Sequence, residues 1–250
     1  MLGCGTSAGV PVIGCRCPVC TSSDPRNRRR RCSILIEGGR TRILVDTPPE
    51  LREQCLDAGV ERIDAILYTH AHADHVNGID DVRALNQILG GAIDVHADED
   101  VLDRIRERFS YAFHPPDPER GWWRPSLRPI PLDGPFTVGD LEIQPFEQIH
   151  GSSPSFGFRI GDFAYSTDLS AMTPEMERII KGVRVWIVDA LRDRPHPSHA
   201  HLARTLGWIE RVRPERAILT HMNHEVDYRT WAERLPGGVE PGIDQMVIEV

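Results

Sequence analysis

Short apolar runs rich in β-branched residues alternate along the chain with stretches whose apolar positions recur every three or four residues. The first pattern predicts strands over residues 32–37, 42–46, 65–69, 93–96, 141–149, 155–160, 163–167, 183–190 and 217–220. The second predicts helices over 48–58, 78–89, 98–109, 174–181 and 202–212. Such a mixture implies layered α/β packing. Four chemically suggestive positions close predicted strands: Asp46 after Ile43-Leu44-Val45, Thr69-His70 after Ile66-Leu67-Tyr68, Asp168 after Tyr165-Ser166-Thr167, and His221 after Ile218-Leu219-Thr220. Strand ends that converge on one edge let side chains share a crevice.

Composition narrows the class. The 250 residues are 40% hydrophobic, enough for a proper core, and the 20 Pro and 21 Gly are spread without a linker or low-complexity tract, so a single domain over 1–250 is expected. No stretch approaches the roughly 20 apolar residues of a membrane span, and the start lacks a secretory pattern, which predicts a cytoplasmic protein with no membrane partner. Thiols stay reduced in that compartment, so the six Cys suit metal ligation better than a disulfide framework. The formal charge of −8 disfavours nucleic acid bound through the overall field, while small anions remain compatible, because metals locally invert an acidic field.

In Thr69-His70-Ala71-His72-Ala73-Asp74-His75, an extended chain projects His70 and His72 to one side, and Asp74 and His75 face a neighbouring ion. Packing does not account for three His and an Asp in six residues, since desolvating them without a metal is costly. Imidazole and carboxylate together suit Zn, Mn, Fe and Co. Isolated His96 and His114 read as ordinary hydrogen-bonded residues. Three thiols in Cys15-Arg16-Cys17-Pro18-Val19-Cys20 lack one ligand for tetrahedral zinc, and His224, in His221-Met222-Asn223-His224, is the candidate. Cys4, Cys32 and Cys55 stand apart and read as core residues.

The H-x-H-x-D-H spacing resembles the signature of the metallo-β-lactamase superfamily. That resemblance implies a four-layer αββα sandwich, here with a zinc-binding N-terminal loop, and two divalent metal ions, Mn2+ or Zn2+, at one edge of the central sheets. It also implies the ligand set: His70, His72 and His150 on one ion, Asp74, His75 and His221 on the other, and Asp168 bridging both. Asp46 would orient a metal-bound His or simply cap its turn.

The cysteine cluster, the His motif, Ser166-Thr167-Asp168 and Leu219-Thr220-His221 together resemble the phosphoribosyl cyclic phosphodiesterase family over nearly the whole chain, including the Gly-rich opening Gly3 to Pro11. The implied reaction is hydrolysis of a small cyclic phosphate, a ribosyl 1,2-cyclic or nucleoside 2',3'-cyclic phosphate, by hydroxide generated at two metals. Asp74 and His199 are the catalytic candidates, His199 as the proton donor to the leaving oxygen, with His196 and His201 as fallbacks. The family also implies a homodimer. Alternative readings are a tRNA-processing endoribonuclease, for which no basic arm is evident, and a non-catalytic accessory protein of cofactor biosynthesis, which intact ligands disfavour. Residues 107–133, with Tyr111, Phe113, Trp122 and Trp123, are longer than the family pattern and would either stack on a nucleobase or cover an edge. The run Asn27 to Arg31 would steer phosphates or form a solvated loop.

Overall fold

The computed structural model describes residues 1–115, 119 and 123–250, so the expectation for Trp122 lies outside the described residues. Two compact units are formed, one from Leu2 with residues 33–142, the other from Met1, residues 3–32 and residues 143–250.

The 33–142 unit is built on a five-stranded sheet in the order β1 (Ile34–Gly38), β2 (Thr41–Val45), β3 (Ala65–Leu67), β4 (Ile93–Ala97), β5 (Leu127–Pro131). The first pair is an antiparallel hairpin and the other neighbours are parallel. Parallel neighbours need crossovers. These are α1 (Leu51–Asp57) after β2, α2 (Ala73–Val76) and α3 (Val82–Leu89) after β3, and α4 (Glu99–Arg108) after β4. The Asp98 carboxylate caps α4 at the Asp100 N–H, and Val101, Leu102 and Ile105 on its inner face join Ile66, Ile93 and Val95 in one core. Among the described residues, β5 pairs with β4 and lies at the sheet edge. Its prolines explain how it escapes a reading by pattern. Leu132 donates to the Ala97 carbonyl, so alternation turns positions 129 and 131, both Pro, toward the open edge, where no N–H is needed.

The other sheet runs β12-β11-β10-β9-β8-β7-β6, with β6 (Phe136–Val138), β7 (Leu141–His150), β8 (Ser153–Ile160), β9 (Phe163–Ser166), β10 (Val185–Asp189), β11 (Arg216–Thr220) and β12 (Val239–Pro241). Strands β7, β8 and β9 are antiparallel, and β9 to β12 are parallel, connected through α5 (Pro174–Ile180), α6 (Leu202–Val212) and α7 (Tyr228–Arg234). Strand β10, Val-Trp-Ile-Val-Asp, is buried at every position, as a central parallel strand covered on both faces must be. Trp186 fills that core and satisfies its indole N–H on Ser166 Oγ at 3.0 Å. Helix α6 buries Leu202, Thr205, Trp208, Ile209 and Val212, a stripe at helical spacing.

Three strand ends share an uncommon backbone. Asp46 (φ 63°), Asp168 (φ 54°) and His221 (φ 58°) are left-handed non-glycine residues directly after β2, after Thr167 beyond β9, and after β11. Such conformations cost of order 1–3 kcal/mol and persist where the surroundings over-determine them. All three carry candidate chemistry.

Candidate metal centre

Within the 33–142 unit, the His70 to His75 loop is organised by a buried acid. Asp46, fully buried, accepts the Thr69 N–H on Oδ1 (2.8 Å) and the Thr69 hydroxyl on Oδ2 (2.9 Å), and that same Oδ2 faces His75 Nδ1 at 2.7 Å. Burial pushes the Asp46 carboxyl up from its ordinary range, against the pull of His75 beside it. The Asp46 side chain thus reaches the His75 ring itself, in addition to bracing the turn. Gly78 lets the loop return: a Cβ there would meet the Pro48 carbonyl at 2.0 Å.

With His75 Nδ1 engaged by Asp46, Nε2 is its cation-facing nitrogen, 3.3 Å from Asp74 Oδ2. Likewise, His70 Nδ1 meets Thr69 Oγ1 at 2.9 Å and its Nε2 meets His72 Nδ1 at 2.9 Å. Two imidazole nitrogens converging on one point, each ring braced at its other nitrogen or by its neighbour, is a donor set that fits a shared divalent cation.

Within the other unit, ligands from separate elements converge. His150, ending β7, has Nδ1 2.8 Å from the Ser198 carbonyl, which makes Nδ1 the protonated nitrogen and turns Nε2 toward Asp168 Oδ1 at 3.8 Å. That carboxylate oxygen lies 3.3 Å from His221 Nε2 and 3.8 Å from His199 Nδ1, while Thr167 Oγ1 donates to Oδ2 at 2.6 Å. An acid flanked by imidazoles on both sides fits a position shared between two cations.

The structure brings His199 into this cluster, with the His196 ring packed beside it. Its ring stacks on His221, with centroids 4.5 Å apart, and Nδ1 meets Asp189 Oδ2 at 3.0 Å. His196 lies 5.1 Å from the His199 ring centroid, and its Nδ1 accepts from the Ser198 N–H at 3.3 Å. His201 occupies the N-cap position of α6. Asp189, fully buried at the end of β10 and bonded to His199, is a candidate site residue that sequence reasoning missed. Its signal was present: an apolar run closed by an acid, as at Asp46 and Asp168.

Cys15, Cys17 and Cys20 bring their sulfurs within 4.8 Å of one another, as a zinc site requires. The Cys20 N–H donates to Cys17 Sγ at 3.4 Å and lowers the Cys17 pKa, whereas burial raises Cys20 to about 11. His224 meets this cluster through its backbone carbonyl, which accepts from Cys17 Sγ at 3.6 Å; its imidazole does not join the three sulfurs within 4.8 Å. All six cysteines are free thiols, and Cys4 and Cys32 are core residues with no exposure.

The run Asn27 to Arg31 is not simply a solvated loop. Asn27 and Arg29 are buried, and the Arg29 guanidinium donates to the carbonyls of Asn223 (3.3 Å) and Val226 (2.9 Å), tying down the segment that follows His221. Arg31 bonds the Ser7 carbonyl. Trp123 is half-exposed, and the buried Arg124 beside it binds the carbonyls of Tyr111 and His114 at 3.0 and 2.9 Å. No helix among the described residues is long and apolar enough to cross a membrane.

A model of the β-lactamase superfamily domain matches residues 41–222. The chain is 34% identical to a crystal structure of a diphosphatase from the PhnP family, with a TM-score of 0.92, covering all of this chain and 96% of that one. It is 37% identical over 248 residues to an octanoyltransferase of Porphyromonas gingivalis, covering 98% of this chain and 50% of that protein. A ribonuclease Z of a Bradyrhizobium species is 31% identical over 149 residues, covering 55% of this chain and 46% of that one. The chain thus spans about half the length of these curated relatives. The match across residues 41–222, joined to the full-length likeness in sequence and fold, means that this chain belongs to the β-lactamase superfamily, in its PhnP-like branch, and has the metallo-β-lactamase fold.

Proposed function

We propose that this protein is a metal-dependent phosphoesterase that hydrolyses small cyclic phosphodiesters. The observation that carries the reading is the Asp168 carboxylate with His150, His199 and His221 around it, in a chain that also holds the converged His70 and His72. In this reading His70, His72 and His150 hold one ion, Asp74, His75 and His221 the other, and Asp168 serves both. Two divalent ions, when bound, supply Lewis acidity toward phosphoryl oxygens and lower the pKa of water.

The chain's own residues do the remaining work. Asp189 accepts a hydrogen bond from His199 Nδ1–H and orients the ring; as the donor, His199 carries a second proton on Nε2, which passes to the departing sugar oxygen. The Ser198 carbonyl accepts from His150 Nδ1–H, which leaves the His150 Nε2 lone pair available to the ion. Cys15, Cys17, Cys20 and His224 would hold a structural zinc, which requires the His224 ring to turn toward the sulfurs. Hydrolysis of a diphosphate is the second reading, favoured by the full-length likeness to a diphosphatase.

The test is a substrate panel on protein stripped of metal and reloaded with Mn2+ or Zn2+. It contains ribosyl 1,2-cyclic phosphate, nucleoside 2',3'-cyclic phosphates, an aryl phosphodiester, a nucleoside diphosphate, a tRNA precursor and an octanoyl thioester. Turnover of the cyclic esters supports the first reading. Turnover of the diphosphate alone replaces it with the second, and cleavage of only the thioester or the tRNA ends both.

A further inference from the structure

Gln148 is fully buried on β7, two residues before His150 and on the same inner face of the strand as Phe146 and His150. An apolar side chain would suit that face, yet the chain has an amide. Both N–H donors of that amide reach toward the turn that carries Asp168: Nε2 donates to the Thr167 carbonyl at 2.9 Å and to Ser155 Oγ at 3.2 Å. Ser155, the cross-strand partner of Gln148 on β8, passes the contact on, its hydroxyl donating to the Asp168 carbonyl at 2.7 Å. Gly157 makes room for this pair, because a Cβ there would run into the Phe146 ring and lie 2.7 Å from Gln148 Oε1.

The backbone of the turn explains why two consecutive carbonyls are held. Asp168 is left-handed at φ 54°, a conformation that a non-glycine residue keeps only where its surroundings over-determine it. The Thr167 carbonyl belongs to the peptide plane before Asp168, and the Asp168 carbonyl to the plane after it. That second plane is held at its other side too, since the Leu169 N–H donates to Asp189 Oδ2 at 3.2 Å. Peptide units are planar, so holding both planes fixes φ and ψ of Asp168 and with them the direction of its Cα–Cβ bond. Thr167 Oγ1 then donates to Oδ2 at 2.6 Å, and Oδ1 is the oxygen that faces His150, His199 and His221.

Packing does not account for Gln148. Its Oε1 accepts no hydrogen bond from the described residues, and a buried acceptor in that position is costly. Leu or Met would fill a similar volume without that cost. The amide is explained by its donors, which neither an apolar residue nor an ionised Glu could supply.

We propose that Gln148, acting through Ser155, is a positioning residue that sets the backbone of Asp168 and so aims its carboxylate, a role that rests on the reading above of Asp168 as a metal ligand.

The experiment titrates metal-stripped protein with Mn2+, an ion that suits carboxylate ligands better than the thiolates of the cysteine cluster. Electron paramagnetic resonance counts free Mn2+, which gives affinity, and the spectrum of the bound ion reports the geometry of its ligands. Denaturant titration gives stability. Gln148→Met removes both donors and keeps the bulk, Ser155→Ala removes the relay, and Asp168→Ala removes the ligand. Ile143→Val, in the buried part of β7 nearer its start, lowers stability without touching the clamp. Gln148→Met and Ser155→Ala should each weaken Mn2+ binding about 10- to 100-fold, as loss of a group behind a metal ligand does, and should change the bound-ion spectrum. The double variant should lose little more than the weaker-binding single one, because both act on one link. Ile143→Val should keep the wild-type affinity and spectrum. Wild-type Mn2+ binding by Gln148→Met, or an equal loss in Ile143→Val, overturns the assignment. If Asp168→Ala itself binds Mn2+ as wild type does, the ligand reading falls and the positioning role falls with it. A loss in Asp168→Ala with none in Gln148→Met leaves that reading standing and removes Gln148 alone.

Discussion

The two units build their clusters of candidate ligands in opposite ways. In the 33–142 unit the ligands are contiguous, His70 to His75, and one buried carboxylate, Asp46, wires the loop by three hydrogen bonds. In the other unit they are dispersed over the ends of β7, β9 and β11, with the loop after β10 supplying His199, and separate partners orient them: Ser198 for His150, Thr167 for Asp168 and Asp189 for His199. A contiguous motif depends on one hub. A dispersed one depends on the register of a whole sheet, and here the parallel pairing of β10 with β9 and β11 sets it.

The comparison predicts that the dispersed half contains the most damaging single site. Replacing Asp168 by Ala removes the carboxylate that faces three imidazoles, and the loss should reach about a thousandfold in kcat/KM, several kcal/mol of transition-state stabilisation. Metal analysis of the purified variant should show fewer bound ions. Full metal content with near-normal activity would remove Asp168 from the centre. His199→Ala comes next, with a fall of about a hundredfold in kcat and retained metal. His196→Ala and His201→Ala should fall far less; equal losses in the three variants would sink the choice of His199.

Asp46→Asn tests the hub. It keeps an acceptor for Thr69 but weakens the charge-assisted contact to His75, and metal affinity should drop about 10- to 100-fold. Asp189→Asn makes the matched change in the other unit, where the contact is to the proposed proton donor. It should alter the pH profile of kcat while leaving metal affinity close to wild type. Competition with a chelator, read alongside the rate profile, separates the two. If both variants lose metal alike, the distinction between a ligand-orienting and a donor-orienting acid fails.

How far the sequence disclosed this arrangement follows from the same contrast. His70 to His75 is legible because its information is local, three His and an Asp within six residues. His150, Asp168 and His221 are legible because each follows a strand-like run, and the motif resemblance adds their order. Asp189 escaped because the predicted strand ran on to residue 190 and absorbed it as an interior position; only the parallel register shows that β10 ends there. Strand β5 escaped because Pro129 and Pro131 break the propensity pattern, although an edge strand tolerates them. The burial of Arg29 was illegible too, since its carbonyl partners lie nearly 200 positions away at residues 223 and 226. Left-handed φ at Asp46, Asp168 and His221 leaves no mark in a single sequence, as non-glycine residues there are set by tertiary context.

A smaller effect separates two acids, fully buried Asp46 beside an imidazole and partly buried Asp244 near the C-terminus. Asp244 accepts the N–H groups of Cys4 (3.1 Å) and Arg30 (2.7 Å), joining the segments on either side of the cysteine loop. Burial raises its pKa from 3.8 to about 6. The folded state therefore holds a proton on Asp244 that the unfolded chain has released between these values. The resulting stabilisation is fully present below about pH 3.8 and is lost as pH rises through about 6, and it amounts to no more than about 3 kcal/mol. Asp244→Asn keeps an acceptor and cannot ionise, so its stability relative to wild type should rise as pH increases from 4 to 7. Paired denaturant titrations across that range measure the difference directly, with titrations common to both proteins cancelling. A difference that stays flat with pH would mean that Asp244 is ionised in the fold throughout, held as a carboxylate by the two N–H groups and Arg30.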